Sequence, residues 1–200
     1  MKNSKKRIFR YKKEFVKNVE LVYYDEDTNR RYRLDVELKR GDNNKAALLI
    51  MMNPSEANDK YSDHTINRVI KYIFLNNKEG ILKDIGKIIF TNLYVVYEKD
   101  QKKVNDIIAI QGFSFVKGIE PQGKFNNNNI IRNATYESHV TIVAWGESII
   151  VGYDDRIKEV LEIIKTSNAF QVEAPKSTKY PRHPRTWAYA WPLKTYTPKE

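Results

Sequence analysis

Cysteine is absent from the 200 residues. That excludes a disulfide framework, a thiolate metal site and a thiol nucleophile. Glycine is scarce, with 8 residues, and none of them builds a Gly-rich phosphate loop or a Gly-x-Ser-x-Gly elbow. With three histidines there is also no His-Glu-x-x-His pair for a zinc hydrolase. Long apolar runs are missing as well. Nothing approaches the roughly 18 residues of a membrane span, and the opening MKNSKKRIFRYKKEF has no apolar stretch of the signal-peptide kind. A cytoplasmic protein with no membrane contact is the expectation, and no cofactor is implied.

What is present is an ordinary globular composition, 41% hydrophobic and 30% charged, with a net charge of +10. At this length one domain with a full core is expected. The excess charge sits at the two ends: residues 1–18 carry +7, residues 171–200 carry +4, and the stretch between them carries −1. Such ends are either solvated tails or contacts for a polyanion, of which nucleic acid is the leading kind.

The hydropathy pattern divides the chain after a basic segment, 1–18. Residues 19–24 and 31–38 alternate with period two around "DEDTNR" and predict a β-hairpin over 19–39, either added to a sheet or standing as a small flap. From 46 to 192 short apolar runs alternate with helical spacings. Strands are predicted at 46–52, 87–95, 140–144 and 170–172, and helices at 63–76, 103–110, 128–138 and 154–166. The segment after residue 172 reads as a proline-spaced, aromatic loop. The fold class is α/β with a mostly parallel sheet in a single domain, 19–200.

In such sheets ligands bind beyond the carboxyl ends of the strands. Four polar signals stand there: Asn53-Pro54-Ser55, Asn92, Trp145-Gly146 and His183-Pro184. Each has two readings. Asn53-Pro54 either ends a strand or presents an amide. Asn92 is either a satisfied core amide or a reader of hydrogen-bonding edges. Trp145 is either core or a ligand platform, and His183 either exposed loop or a charge-stabilising donor. Asp63 either caps a helix or pairs with His64 as acid and base. Their convergence at one sheet edge favours the functional readings jointly.

The ordered set "LLIMMNPSEAND…SDHTINR", "IIFTNLY", "VAWG" and "HP" resembles a bacterial and phage family known as domain of unknown function 1643, over roughly residues 31–192. The same order is similar, more distantly, to the uracil-DNA glycosylase superfamily. That likeness implies a three-layer α/β/α fold around four central strands. It also implies that Asn53, flanked by Pro54 and Ser55, positions an attacking water. Asn92 would pair with the base beside Trp145 and Gly146. His183 would steady charge on the departing base, and Arg182, Arg185 and Trp187 would belong to the loop that meets the nucleic acid.

Two functions from different classes remain. One is hydrolysis of an N-glycosidic bond in a nucleic acid, DNA in the first instance. The other is a non-catalytic module that binds a nucleotide or nucleic acid, for instance in phage–host conflict. Metal-assisted phosphoester cleavage by Asp59, Asp63 and His64 is a weaker third, since no second carboxylate cluster stands out; no metal site is expected. Nucleic-acid affinity should weaken with salt, log affinity falling against log salt by roughly 0.7–0.9 per phosphate contacted. Removing residues 1–18 should flatten that slope. Titrations across a salt series check this, and an unchanged slope would show that the basic end is only solvated.

Overall fold

The period-two alternation near the start becomes a hairpin. In the computed structural model, which describes residues 9–176 and 178–198, β1 (Val16–Asp25) pairs antiparallel with β2 (Arg30–Leu38). Asn29 closes the turn at φ 51, a left-handed conformation that asparagine tolerates better than most residues. The hairpin is no flap, because β2 also pairs antiparallel with β4 (Ile85–Asn92).

The sheet is mixed and has seven strands, in the order β1-β2-β4-β3-β5-β6-β7. Its middle is parallel: β3 (Asp42–Met51) lies between β4 and β5 (Val140–Val143), and β5 pairs parallel with β6 (Ala169–Val172). The four strands expected at the centre, β3 to β6, are thus part of a sheet of seven among the described residues. The hairpin extends one side, and β7 (Leu193–Thr195) adds antiparallel to β6 on the other. β7 falls where the sequence reads as loop.

Among the described residues, five α-helices cover the two faces. α1 (His64–Asn76) buries Ile66, Val69, Ile70 and Ile73, at the predicted spacing, and Asp63 caps it by accepting from Ile66 N at 2.8 Å. On β3, Ala47, Leu49 and Met51 join the α1 side of the core. Ala46, Leu48 and Ile50 join the other side. There they meet α2 (Gln101–Gln111), α3 (Phe113–Lys117), α4 (Asn127–Glu137) and α5 (Tyr153–Ile163). α3 is an element the sequence did not suggest.

The basic segment 1–18 is divided. Residues 1–8 lie outside the described residues. Beyond them, Phe9 bridges to Ser62, Tyr11 donates to Asn58 O at 2.6 Å, and Phe15 stacks on Phe74 with centroids 4.8 Å apart. Because β1 starts at Val16, neutralising charges tests the salt slope more cleanly than removing all eighteen residues.

Charge is buried on β2. Arg33 donates to both oxygens of Asp35 (2.7 and 2.8 Å) and to both oxygens of Glu137 on α4 (2.8 and 2.6 Å). Lys87 of β4 stands 2.7 Å from the same Asp35. Arg33 and Asp35 are both 5% exposed, so removing one leaves the other in a poor solvent for charge. Arg33→Ala is expected to cost about 3 kcal/mol, the low end for breaking a buried pair, since Lys87 still faces Asp35. Denaturant unfolding measures it, and a loss under about 1 kcal/mol would put the network with ordinary surface pairs.

Candidate functional site

The connection β3–α1–β4 runs to one side of β3, and β5 returns on its other side. The first crossover uses one face and the next uses the opposite face, as a constant crossover hand requires. The strand order therefore reverses at β3, and beyond its carboxyl end the loops diverge and leave a crevice. A cavity of about 390 Å³ lies there, within the usual size of a small-molecule site.

The cavity collects most of the residues singled out from the sequence. Asn53, Pro54 and Ser55 follow β3, Asp63 and His64 open α1, Trp145 and Gly146 follow β5, and His183 and Arg185 follow β6. Three predicted residues do not line it. Asn92 is fully buried. With its amide nitrogen turned toward the carbonyls around it, it donates to Asn53 O at 3.0 Å and Thr91 O at 3.3 Å. It stands behind the site as a support. Arg182 is half-buried and donates to Lys176 O at 2.9 Å. Trp187 is 1% exposed, meets the Tyr72 ring edge-on at 5.0 Å and donates to Arg182 O. It is a core residue, and the reading of Trp187 as a probe of nucleic acid is corrected accordingly: burying an indole beside a helix outweighs the loop-like look of its surroundings.

Asn53 donates through Nδ2 to Glu98 O at 2.8 Å. Its Oδ1, Ser55 Oγ, Asp63 Oδ2 and Trp145 Nε1 are buried and find no partner among the described residues. They are four of thirteen such side-chain atoms among the described residues, and they are the ones a polar ligand or water in this cavity would reach. Of the two readings of Asp63, the structure bears out the cap: Oδ1 accepts from Ile66 N, while Oδ2 is unengaged and makes no hydrogen bond to His64.

The loops are held tightly. Arg31, fully buried, donates to Ser55 O (3.3 Å) and Ala57 O (2.5 Å) and lies over the Tyr97 ring. Gly146 adopts φ 75, and a Cβ there would stand 3.0 Å from the Cβ of His183. Its N–H donates to Pro181 O at 2.9 Å. Only glycine lets the loops after β5 and β6 approach this closely.

His183 accepts from Arg185 N through Nδ1 at 3.3 Å, which leaves its proton on Nε2 when the ring is neutral. Burial, and then the Arg185 charge, pull its pKa down from 6.5 to about 4, against a smaller upward pull from Asp63. The ring is thus a neutral donor at physiological pH.

Sequence reasoning missed Phe9, Thr65, Glu98, Lys99, Gln101 and Glu147, all of which line the cavity. The reason is clear for the β4 side. Leu93 N and Tyr94 N still donate to Met51 O and Met52 O, so the chain leaves the sheet near Glu98, several residues beyond Asn92. The polar run "YEKD" after "VV" is the signal that marks this exit. Asp59 lines a different pocket. Among the described residues no group of three or more His, Asp or Glu side chains is arranged to hold a metal.

The lowered His183 pKa has a consequence for stability. The unfolded chain takes up a proton near 6.5 and the folded one only near 4, so stability is full above 6.5 and falls as pH drops between those values. His183→Asn is expected to flatten this part of the stability–pH curve, measured by denaturant unfolding across the window. An unaltered curve would show that His183 titrates freely in the folded protein.

The model of the family described as Protein of unknown function (DUF1643) matches residues 31–185. No curated protein and no solved structure matches the chain. The matched span begins at the buried Arg31, ends at Arg185 on the cavity wall, and takes in Asn53, Asp63, Trp145, Gly146 and His183. The chain belongs to the DUF1643 family.

Proposed function

We propose that the cavity takes a nucleobase, carried by a nucleic acid, and that the protein is a uracil-DNA-glycosylase-like hydrolase of an N-glycosidic bond. The observation that carries this reading is the convergence of Asn53, Asp63 and His183 from three separate segments on one cavity, with unengaged oxygens on the first two and a neutral ring on the third. The four parallel strands with helices on both faces suit the same reading. DNA is the first partner to test, and the cytoplasm is the proposed location.

In the reaction, the Asn53 amide holds a water beside the sugar C1′. The water oxygen bonds to C1′ as the C1′–N bond breaks, and that electron pair leaves on the base. His183 donates a hydrogen bond through Nε2 to the departing base anion, and the Asp63 carboxylate takes the proton from the water. A donor matched to developing charge is worth about 2.7–4 kcal/mol in a water-poor site. Removing a base from its stack costs a few kcal/mol, which phosphate contacts from Arg185 and the basic ends offset.

One observation favours a second reading, a binding module without catalysis. Asn92, the residue that would pair with the base, is fully buried, and its amide is engaged by Asn53 O and Thr91 O.

Base release from single- and double-stranded DNA carrying uracil, hypoxanthine or modified pyrimidines tests the proposal. Asn53→Ala is expected to abolish release while the fold persists, since it loses one hydrogen bond worth about 1 kcal/mol. His183→Ala is expected to slow release by about 10²–10³. A wild type that releases no base yet binds nucleotides would make the binding module the function.

A further inference from the structure

A segment that precedes the first strand is ordinarily poorly ordered unless something ties it down. The segment 9–15, ahead of β1, is tied down, and its ties converge on one edge of the cavity. Ser62 N donates to Phe9 O at 3.0 Å. Asn67, in the first turn of α1, donates through Nδ2 to Arg10 O at 3.2 Å. Tyr11 OH donates to Asn58 O at 2.6 Å. All three partners lie in the stretch 58–67, which also supplies Asp63, His64 and Thr65 to the cavity wall. The segment itself lies ahead of the family span, 31–185.

The aromatic side chains of this segment part ways. Tyr11 and Phe15 pack on the α1 side of the core. Phe9 lines the cavity instead, half-buried, with its ring edge-on to His64 at 6.5 Å between centroids. The other large aromatic ring of the wall belongs to Trp145, which has no exposed surface and meets Tyr196 edge-on at 5.7 Å. Of the two, Phe9 is the ring that keeps accessible surface at the cavity. Its place there depends on the neighbouring ties at Arg10 and Tyr11, because nothing else in the fold carries residue 9 across the start of α1.

We infer that the segment 9–15 is a strap that closes the cavity over its ligand, with Phe9 as the wall that a flat ring meets. The inference rests on the proposed nucleobase site and adds a binding residue and a closing element to it. The ties are neutral hydrogen bonds of small net worth, and ordering the backbone of 9–15 opposes them. Docking of the strap is therefore responsive to anything that touches Phe9. A ring that packs against Phe9 adds buried aromatic surface only in the docked form. Ligand binding and strap docking then reinforce each other by the same factor, as linkage requires.

The test uses the full chain with uridine and adenosine 5′-monophosphates as probes, their affinities measured by calorimetry. A parallel arm follows trypsin cleavage after Arg10 by mass spectrometry, with and without nucleotide. Wild type is expected to bind, and bound nucleotide is expected to slow the cleavage in step with occupancy. Phe9→Ala is expected to bind about tenfold more weakly and to lose the protection, while its thermal unfolding stays as in wild type. Phe9→Tyr, which keeps a ring, is expected to restore both. Tyr11→Phe, which removes one tie and leaves Phe9, is expected to be cleaved faster than wild type in the absence of nucleotide. Wild-type affinity in Phe9→Ala would overturn the strap and leave the nucleobase reading in place. Cleavage of wild type at the same rate with and without bound nucleotide would do the same, and this arm decides even where Phe9→Ala does not fold. Wild type that binds neither nucleotide would overturn both.

Discussion

The placement of β3 is the constraint on which the rest of the molecule depends. It is paired in parallel on both sides and coated on both faces, and Ala47 to Ile50 have no exposed surface. Alternate residues feed two separate cores, so a slip of one residue would exchange the two sets of side chains and spoil both. The register is fixed for that reason, and with it the height at which β4 and β5 end. A strand gripped so completely can carry a strained or unsatisfied exit, because the loop at Asn53 cannot relax by shifting the strand beneath it.

Polar contacts, more than apolar ones, then shape the edge above that strand. Arg31 holds the chain just after Ser55, Asn92 supports the Asn53 carbonyl, and Gly146 lets two loops touch. On the opposite face, Arg156 is fully buried and donates to Leu93 O at 2.9 Å and Asn128 Oδ1 at 2.7 Å. Burial lowers its pKa, and Glu159 partly restores it. Burial also raises the Glu159 carboxyl, but hydrogen bonds from Asn128 and Lys117 and the Arg156 charge outweigh this and bring it to about 2. Such ion pairs add little net stability over an apolar replacement. They fix α5 against α4 and the β4 exit.

Where local periodicity set the outcome, the sequence was a sufficient guide. The apolar runs of β3, β4 and β5 and the spacing of Ile66, Val69, Ile70 and Ile73 in α1 lead to the elements found, within a few residues. Elements that depend on distant partners were not legible. β7 is three residues with little burial, and it exists because Leu193 meets Val172. α3 is five residues between Gly112 and Gly118. β2 looks amphipathic in "RYRLDVEL", yet nearly all of it is buried, because α4 reaches over it with Glu137. At the candidate site, residues that follow a strand directly were found. Glu98 and Gln101 were not, since the extended chain beyond Asn92 carries the exit out of sight of a pattern.

The two outer strands carry a different consequence. β1 is broken by register shifts between Val16 and Asn18, Glu20 and Tyr23, and Tyr23 and Tyr24. β7 spans three residues and holds Lys194, paired with Glu173 at 2.8 Å. An irregular strand on one border and a short, charged one on the other give a newcomer strand no long, flat template. Lateral growth of the sheet by a further strand is disfavoured at both borders for that reason.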